Sequence, residues 1–285
     1  AGVVNVVTGD ARTVGGELTG NPLVRKITFT GSTPVGKVLL KQAAETVKKV
    51  SMELGGNAPF IVFDDADLDR AVEGAMAAKF RNSGQTCVCT NRFYAQAGIY
   101  DAFVEKLAAA TRKLKLGSGL EAGVTQGPLI DEKALAKVEE MVADAKAKGG
   151  TVATGGKRSE LGLNFYEPTV IAGATGAMQF AREEIFGPVA PVFRFETEAE
   201  ALRLANDTEY GLACYFYTRD LGRTFRVSEA LQYGIVGVNE GLVTTEVAPF
   251  GGVKESGLGS EGSKYGLQDY LDVKYTCIGG IGATA

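Results

Sequence analysis

The sequence predicts an α/β fold built around largely parallel sheets. Short apolar runs rich in β-branched and aromatic residues alternate along the chain with segments whose apolar residues recur at helical spacing. The 285 residues are 45% hydrophobic and 22% charged, a composition that supplies a sizeable core and allows two domains. The 38 glycines cluster between the predicted elements, where the backbone must turn or approach a neighbour closely.

The first clear unit is a strand, a tight glycine loop and a helix, because the apolar run 24–30 leads into the loop 31–36 and the helical pattern 37–50. The next helix is predicted over 68–81 from an apolar stripe, and the acidic cluster at 64–69 before it supplies N-capping residues. Further strands are predicted at 50–54, 59–63, 92–97, 165–171, 189–195, 213–218, 235–239 and 268–277. Further helices are predicted at 100–114, 132–148, 198–206 and 221–231.

The charge pattern and the missing residue types exclude several classes of function. The net charge of −4 and the pI of about 5.2 come with no basic block, so neither nucleic acid nor an anionic membrane is an expected partner. No apolar run approaches the roughly 18 residues of a spanning helix and no signal pattern opens the chain, so we expect a cytoplasmic protein. The chain has no histidine, and its four cysteines lack zinc-site spacing. Ser-His-Asp hydrolysis and His-ligated zinc are therefore excluded, and no metal site is expected.

The polar loop 83–92, Ser-Gly-Gln-Thr-Cys-Val-Cys-Thr-Asn-Arg, contains a candidate nucleophile, Cys87. A lone cysteine is more often a small buried hydrophobic residue, and the apolar neighbours of Cys214 and Cys277 favour that role for both. The neighbours of Cys87 are small and polar, and its loop could offer backbone N–H groups to a thiolate and to an oxyanion. Since histidine is absent, the base that serves this cysteine must be another residue, and a Glu or Asp is expected.

The loop after the first strand, Phe-Thr-Gly-Ser-Thr-Pro-Val-Gly-Lys-Val at 29–38, is a candidate anion site. A glycine loop between a strand and a helix start presents free backbone N–H groups and the positive end of the helix dipole. The loop almost matches the phosphate loop of nucleoside triphosphatases, but Val38 replaces the hydroxyl residue that would hold magnesium, which disfavours triphosphate hydrolysis. The alternative is a tight turn that uses glycine for its geometry alone.

Two glutamates stand at turns where a carboxylate could be functional. Glu53 ends a strand just before Leu-Gly-Gly-Asn, and functional groups commonly lie at such strand ends, although a surface position is the usual alternative for a glutamate. Glu184 lies in Glu-Glu-Ile-Phe-Gly-Pro-Val at 183–189 and could accept hydrogen bonds from a ribose or a similar diol. The alternative there is a plain turn into a strand, with Pro188 as the stop signal.

Taken in order along the chain, these motifs resemble those of the aldehyde dehydrogenase superfamily. They are Phe-Thr-Gly-Ser-x-x-Val-Gly, Glu-Leu-Gly-Gly-Asn, Gly-Gln-Thr-Cys, Glu-Glu-Ile-Phe-Gly-Pro-Val and Pro-Phe-Gly-Gly-Val-Lys-x-Ser-Gly. The resemblance extends from the first residue to about residue 280 and covers roughly the C-terminal three-fifths of a typical member. Gly-Gln-Thr-Cys-Val-Cys, with the segments 239–242, 249–254 and 261–266, is most similar to members that oxidise succinate semialdehyde.

The resemblance implies a three-layer α/β catalytic domain over 57–254. Residues 1–56 would be the remnant of a Rossmann-like dinucleotide-binding domain, and 255–285 would be a return segment with an oligomerisation strand. The run 268–277 alternates with a period of two and has no nearby partner in sequence, so it is the candidate for that strand. A homodimer or homotetramer is therefore expected.

The resemblance also implies a chemistry, the oxidation of an aldehyde by NAD or NADP. Cys87 is the implied nucleophile, which forms a thiohemiacetal whose hydride passes to the nicotinamide. Glu53 is the implied base, which activates water to hydrolyse the resulting thioester. The implied cofactor residues are Gly31, Ser32 and Gly36 at the pyrophosphate, Glu184 at the nicotinamide ribose and Phe186 beside the nicotinamide.

On the substrate side, the resemblance implies that Arg81 holds the far carboxylate, and the bidentate geometry and permanent charge of a guanidinium suit that task. A favourable charge at the end of a helix is the alternative role for this arginine. A hydroxyl contact to the same carboxylate is implied at Thr244 or Thr245, and Phe250 is implied to line the substrate tunnel. Cys89 resembles a cysteine that forms a redox-switch disulfide with the nucleophile, although a bridge across one intervening residue is geometrically demanding.

Several groups that the resemblance requires would lie before the first residue of this sequence. They are the oxyanion-hole asparagine, the lysine on the adenosine ribose, a second substrate arginine and the first strands of the cofactor domain. The competing hypothesis is therefore that the 285 residues form a folded but inactive fragment, which acts only through oligomer contacts.

Overall fold

The computed structural model describes residues 2–280 and 282, which fold into two sheets flanked by helices. The strands are β1 (Lys26–Thr30), β2 (Lys49–Glu53), β3 (Ala58–Val62), β4 (Thr90–Gln96), β5 (Thr151–Thr154), β6 (Thr169–Ala174), β7 (Val189–Phe195), β8 (Ala213–Tyr217), β9 (Ile235–Val238) and β10 (Gly257–Leu258). The helices are α1 (Ala11–Gly20), α2 (Thr33–Ala44), α3 (Leu68–Phe80), α4 (Tyr100–Thr111), α5 (Glu132–Ala147), α6 (Glu198–Asn206) and α7 (Leu221–Ala230).

The larger sheet has seven strands in the order β5-β6-β7-β4-β3-β8-β9, and all of its pairs are parallel except the antiparallel edge pair of β5 and β6. The smaller sheet has the order β1-β2-β10, in which β1 is parallel and β10 antiparallel to β2. The predicted α/β class is confirmed. The short segment 54–57 links β2 to β3, so the two sheets meet there.

Helices cover both faces of the larger sheet and produce three layers. Along β3 and the residue after it, Phe60 and Val62 pack on the side of α3 and α4, whereas Ile61 and Phe63 pack on the side of α5, α6 and α7. All four side chains are fully buried. Because both faces are covered, the central strands are apolar almost throughout, which is typical of parallel sheets between helix layers.

The helices begin and end at residues that the local sequence explains. Asp67 accepts a hydrogen bond from the Arg70 N–H and starts α3, which confirms the N-cap expected within the acidic cluster 64–69. The helix ends at Phe80, because the following residues leave the helical conformation.

Among the described residues, no helix combines the length and the apolar character needed to cross a lipid bilayer.

The helix α2 differs from its predicted bounds at both ends. It begins at Thr33, inside the predicted loop 31–36, because Pro34 has the backbone angle of a helical first turn and needs no N–H partner there. It ends at Ala44 instead of near residue 50, because the chain from Lys49 onward pairs with β1.

Three further differences concern weak local signals. The helix α1 escapes prediction because its three glycines and two threonines are poor helix formers. The strand β5 is only four residues long and leaves little pattern to read. The predicted strand 165–171 begins only at Thr169, because Pro168 has no N–H to donate to a strand ladder.

The predicted strand 268–277 is not formed within the described chain. Gln268–Tyr270 is a short 3-10 helix, and residues 271–280 have no ladder partner in the part of the chain that the structure describes. Val273 and Tyr275 are exposed. A strand here requires a partner from elsewhere, so the oligomerisation role of this segment stays a prediction.

A fully buried arginine ties the larger sheet to the loops around it. Arg92, in β4, is 1% exposed. Its guanidinium donates to the backbone carbonyls of Asn57, Leu204 and Ala205 at 2.9–3.2 Å and to the Tyr233 hydroxyl at 3.1 Å. No carboxylate pairs with it among the described residues, so neutral acceptors alone satisfy its donors.

The substitution Arg92→Met should lower the free energy of unfolding by about 3 kcal/mol or more. Three buried carbonyls lose their donor, and each unpaired buried acceptor costs roughly 1–3 kcal/mol. Urea unfolding followed by circular dichroism measures the loss. The matched control is Arg194→Met, since that guanidinium is exposed beside Glu196 and its removal should cost less than about 1 kcal/mol. Equal losses in the two variants would contradict the role given to Arg92.

Candidate active site

A cleft of about 620 Å³ opens beside the segment where the two sheets meet. It is lined by the loop after β1, the end of β2, the loop before β4 and the stretch 184–186, with α5 along one side. The cleft brings together six of the predicted site residues: Gly31, Ser32, Glu53, Cys87, Glu184 and Phe186. The other six do not line it: Gly36, Arg81, Cys89, Thr244, Thr245 and Phe250.

The loop that carries Cys87 has an unusual backbone conformation. Ser83 and Gly84 have φ of 54° and 75°, in the left-handed region. A Cβ on Gly84 would lie 2.6 Å from the carbonyl carbon of Gly187, so only glycine fits at that position. The Ser83 hydroxyl donates to the Gly127 carbonyl at 2.9 Å and holds the turn. This turn reverses the chain after α3 and presents Cys87, partly buried, at the cleft.

The thiol of Cys87 is neutral at neutral pH in this environment. Its pKa is raised to about 11, first by burial and then by the nearby carboxylates of Glu184 and Glu53. Because the thiolate is the nucleophilic form, the thiol must pass its proton to a base as it attacks. In a chain without histidine, the carboxylates that line the same cleft are the candidates for that base.

The side chain of Glu53 is buried in the site and does not lie on the protein surface. The residue is 3% exposed, and its Oε2 atom has no hydrogen-bond partner among the described residues. Its pKa is raised to about 8, mainly by burial and further by the charge of Glu261. A carboxyl group that titrates near neutral pH and keeps one oxygen unbonded can accept a proton from water.

Glu261 is a neighbour of the site that the sequence pattern does not reveal. It lies in a glycine-rich stretch without periodicity, and the fold brings it back because its backbone pairs with Phe250 in both directions, at 2.8 and 2.6 Å. Phe250 itself is partly buried and packs, as Cys87 does, against the core cluster beneath α3 and α4.

Glu184 faces the cleft between an amide and a lysine. Its Oε1 accepts from the Gly56 N–H at 3.1 Å, and the Nζ of Lys137 donates to its backbone carbonyl at 2.6 Å. Burial raises the pKa of Glu184 to about 7, against the opposing effects of the Gly56 N–H and of the charges on Lys137 and Lys79. Sequence reasoning misses Lys137 because it is one of several lysines on an amphipathic helix. Phe186 lies close by, 40% exposed, with a left-handed φ of 50°.

The glycine loop lies against the end of β2. The Gly31 N–H donates to the Glu53 carbonyl at 3.0 Å. Ser32 is the N-cap of α2, yet its hydroxyl makes no capping bond, so the first-turn N–H groups have no side-chain acceptor and are available to an anion. Gly36 faces Leu54 instead, where any Cβ would overlap the leucine side chain. Gly36 therefore allows α2 to pack closely against Leu54, the residue that follows β2.

Arg81 lies beside one of the two candidate threonines. Its Nη1 donates to the Thr244 hydroxyl at 3.4 Å, whereas the Thr245 hydroxyl donates to Glu246 at 3.5 Å. In the described part of the chain, no carboxylate pairs with Arg81. Its guanidinium is therefore available to an external anion, with the Thr244 hydroxyl next to it.

Cys89 is buried behind the nucleophile loop. Its Sγ lies 3.7 Å from the Arg81 carbonyl oxygen, and both Cys87 and Cys89 are free thiols. The redox role of Cys89 therefore stays a prediction.

The rate at which iodoacetamide alkylates Cys87 should keep rising with pH beyond the value of about 8.5 that is usual for a free cysteine. The reason is that its pKa lies at about 11 and only the thiolate reacts. The modified peptide is followed by mass spectrometry, and the exposed Cys277 serves as an internal reference in the same sample.

The variant Glu184→Gln should accelerate this alkylation at pH values above the Glu184 pKa of about 7, because it removes a negative charge that opposes the thiolate. Glu183→Gln, which changes the exposed neighbouring carboxyl, should leave the rate unaltered. In the unaltered protein, an alkylation rate of Cys87 that levels off near pH 8.5, the pKa usual for a free cysteine, would show that burial does not perturb this thiol.

Comparison with known proteins places the chain in a family. The sequence profile of the Aldehyde dehydrogenase family matches residues 1–276. The 3-sulfolactaldehyde dehydrogenase of Pseudomonas putida is 66% identical over 281 residues, which are 99% of this chain and 58% of that protein. The succinate-semialdehyde dehydrogenase of Escherichia coli (strain K12), whose name specifies NADP(+), is 64% identical over 279 residues, 98% of this chain and 58% of that protein.

A solved structure agrees with these relatives. The crystal structure of succinate-semialdehyde dehydrogenase from Burkholderia pseudomallei matches with a TM-score of 0.96 at 62% identity, over 97% of this chain and 58% of that chain. The chain thus spans 58% of the length of these relatives. Sequence and fold match over almost all of its residues, so the chain belongs to the aldehyde dehydrogenase family.

Proposed function

We propose that this chain carries the catalytic centre of an NAD- or NADP-dependent aldehyde dehydrogenase, which oxidises an aldehyde to a carboxylic acid. The observation that carries the proposal is the shared cleft, which Cys87 and Glu53 line together with the loop at 31–32 and Glu184. A thiol nucleophile and a carboxyl base beside a candidate anion site are the groups that this reaction requires.

The residues of the chain divide the reaction into two stages. The Cys87 thiol passes its proton to a carboxylate of the cleft, Glu184 or Glu53, which later releases it to solvent. The sulfur bonds to the aldehyde carbon, so the carbonyl oxygen becomes an alkoxide. A nicotinamide dinucleotide, when bound, would accept the hydride that leaves this carbon, and the carbon would become a thioester on Cys87. Glu53 then takes a proton from water, whose oxygen attacks the thioester carbon. The carbon–sulfur bond breaks, the carboxylic acid leaves and the thiol is restored.

We assign each part of the dinucleotide cofactor to a group of residues that could bind it. The pyrophosphate would bind at 31–32, where the first-turn N–H groups of α2 lack a side-chain cap. The nicotinamide ribose would lie at Glu184 and Lys137, with the nicotinamide beside Phe186. An apolar groove of about 290 Å³ between α1 and α2 begins at Phe29, next to this loop, and its lining suits an adenine ring.

We propose that the substrate carries an anionic group remote from its aldehyde. The support is the Arg81 guanidinium, which has a hydroxyl beside it at 3.4 Å and no carboxylate partner among the described residues. The names of the relatives from Pseudomonas putida and Escherichia coli both denote aldehydes with a second, acidic group. Succinate semialdehyde is therefore the first substrate to test, and Thr244 is the threonine assigned to it.

The two competing hypotheses have less support. A phosphate-loop hydrolase is disfavoured because the Lys37 Nζ pairs with Glu255 at 2.7 Å and Val38 offers no hydroxyl. An inactive fragment is not favoured, because relatives that match 98–99% of the chain are named as dehydrogenases.

The protein as it is naturally expressed should reduce NAD or NADP when succinate semialdehyde is added, and Cys87→Ala should abolish that reaction. Glu53→Gln should slow steady-state turnover by about 10²–10⁴-fold, because thioester hydrolysis loses its base. A single stoichiometric burst of reduced nicotinamide should remain, because Glu184, the other carboxylate of the cleft, can still take the thiol proton in the first stage. Stopped-flow absorbance separates the burst from turnover.

The control Glu45→Gln changes an exposed carboxyl at the end of α2 and should alter neither phase. Turnover by Cys87→Ala would overturn the assignment of the nucleophile. Loss of the burst in Glu53→Gln would show that Glu53 already acts before hydride transfer.

We propose further that Cys89 pairs with Cys87 when the protein meets peroxide. Two thiols would lose two electrons to one peroxide molecule, which forms the S–S bond and two water molecules. Peroxide should therefore abolish activity until a thiol reductant is added, and Cys89→Ala should resist this reversible loss. Cys277→Ala, at an exposed cysteine, should behave as the unaltered protein does. Equal sensitivity of Cys89→Ala would refute the pairing.

A further inference from the structure

The loop that carries Thr244 rests on the helix that leads to Arg81, through a contact between two glycines. A Cβ on Gly241 would lie 2.8 Å from both the Cα and the carbonyl carbon of Gly74 in α3. A Cβ on Gly74 would overlap the Tyr217 hydroxyl. Both positions are buried. Gly241 therefore cannot gain a side chain without moving the loop away from the helix, and Gly74 cannot gain one without displacing the Tyr217 side chain.

Side-chain hydrogen bonds anchor the start of this loop. Asn239 has a left-handed φ of 54°, and its side chain accepts from the Thr218 N–H at 3.0 Å and donates to the Thr218 carbonyl at 2.9 Å. The next residue, Glu240, folds back on the chain, and its Oε1 accepts from the N–H groups of Gly241 and Leu242, both at 2.8 Å. The backbone direction is therefore set for the residues that follow, which include Thr244.

The helix α3 supports the loop that carries Thr244 and also leads to Arg81. Arg81 follows α3 two helical turns beyond Gly74, about 10 Å along the axis. Because α3 is both the support of the loop and the element that leads to the arginine, the distance from Thr244 to Arg81 depends on how closely Gly241 approaches Gly74. At 3.4 Å that hydrogen bond is long, so a small displacement of the loop breaks it.

We propose that Gly74, Glu240 and Gly241 are positioning residues that hold the Thr244 hydroxyl against the Arg81 guanidinium, and that they thereby set the preference for aldehydes with a remote anionic group. The inference rests on the function proposed above and names what determines its selectivity. These three residues touch no reacting atom and act through Thr244 and Arg81.

The decisive variant is Gly241→Ala, assayed in the naturally expressed protein with succinate semialdehyde and with butanal, an aldehyde of the same carbon number without the carboxylate. The KM for succinate semialdehyde should rise about tenfold or more, which corresponds to the loss of about 1.4 kcal/mol of binding. The kcat for both aldehydes and the KM for butanal should stay within about twofold, since uniform binding alone is lost. Arg81→Gln should give the same split between the two substrates.

A milder pair of variants keeps the test valid if Gly241→Ala does not fold. Glu240→Ala removes the acceptor of both loop N–H groups and should raise the KM for succinate semialdehyde. Glu240→Gln keeps one acceptor oxygen and should restore most of the affinity, because the two N–H groups share a single oxygen. The matched control is Glu246→Ala, an exposed carboxyl of the same loop, which should change neither KM.

Each outcome bears on one proposal or the other. Equal losses on both aldehydes in Gly241→Ala and in Glu240→Ala would overturn the inference, because the contact would then serve folding alone. Unchanged kinetics in both variants would overturn it as well. If the unaltered protein reduced no nicotinamide with any aldehyde, the proposed function itself would fail. Activity on butanal with no preference for succinate semialdehyde would leave that function standing and refute the inference.

Discussion

The passage of the chain from the smaller to the larger sheet is the constraint on which the rest of the site depends. At Gly56 a Cβ would overlap the backbone carbonyl oxygen of Cys87, and at Gly55 it would lie 3.2 Å from the Glu184 carboxylate. Only Leu54 separates these two glycines from Glu53 at the end of β2. Because glycine has no side chain, three distant stretches of chain can approach one point, and any larger residue would separate them.

The burial of Cys87, Glu53 and Glu184 determines their acidity. Cys87, Glu53 and Glu184 all have a raised pKa, and burial is the largest cause for each. Lys137 and Lys79 oppose the effect only at Glu184. The ionisation of one acidic group makes the next ionisation harder, so the cleft favours states with few negative charges. The carboxyl groups of Glu53 and Glu184, with pKa values of about 8 and 7, hold a proton with similar affinity, whereas the Cys87 thiol, at about 11, holds its proton more tightly.

The sequence predicts the local chemistry of the site better than its spatial relations. The polar loop around Cys87 is recognisable because its signal is contained in a few adjacent residues. The choice between Thr244 and Thr245 is not, because it depends on which hydroxyl turns towards an arginine 163 residues away. No local pattern assigns Glu261 a place beside Glu53, and only the fold brings its charge near the site. The alternation over 268–277 is real, but a ladder needs a second strand, which this pattern does not specify.

The pairing of β10 with β2 joins the end of the site to its beginning. The Ser256 hydroxyl donates to the Gly55 carbonyl at 2.7 Å across 201 positions of sequence, and the Ser256 carbonyl accepts from the Leu54 N–H at 2.9 Å. Contacts that close so long a loop form late, because the chain must first lose the entropy of bringing its ends together. On the ribosome, the strand end that carries Glu53 stays open until residues 256–258 emerge. A nascent chain therefore lacks the contacts of this strand end until then, and the buried environment of Glu53 is complete only after residues 256–258 have been added.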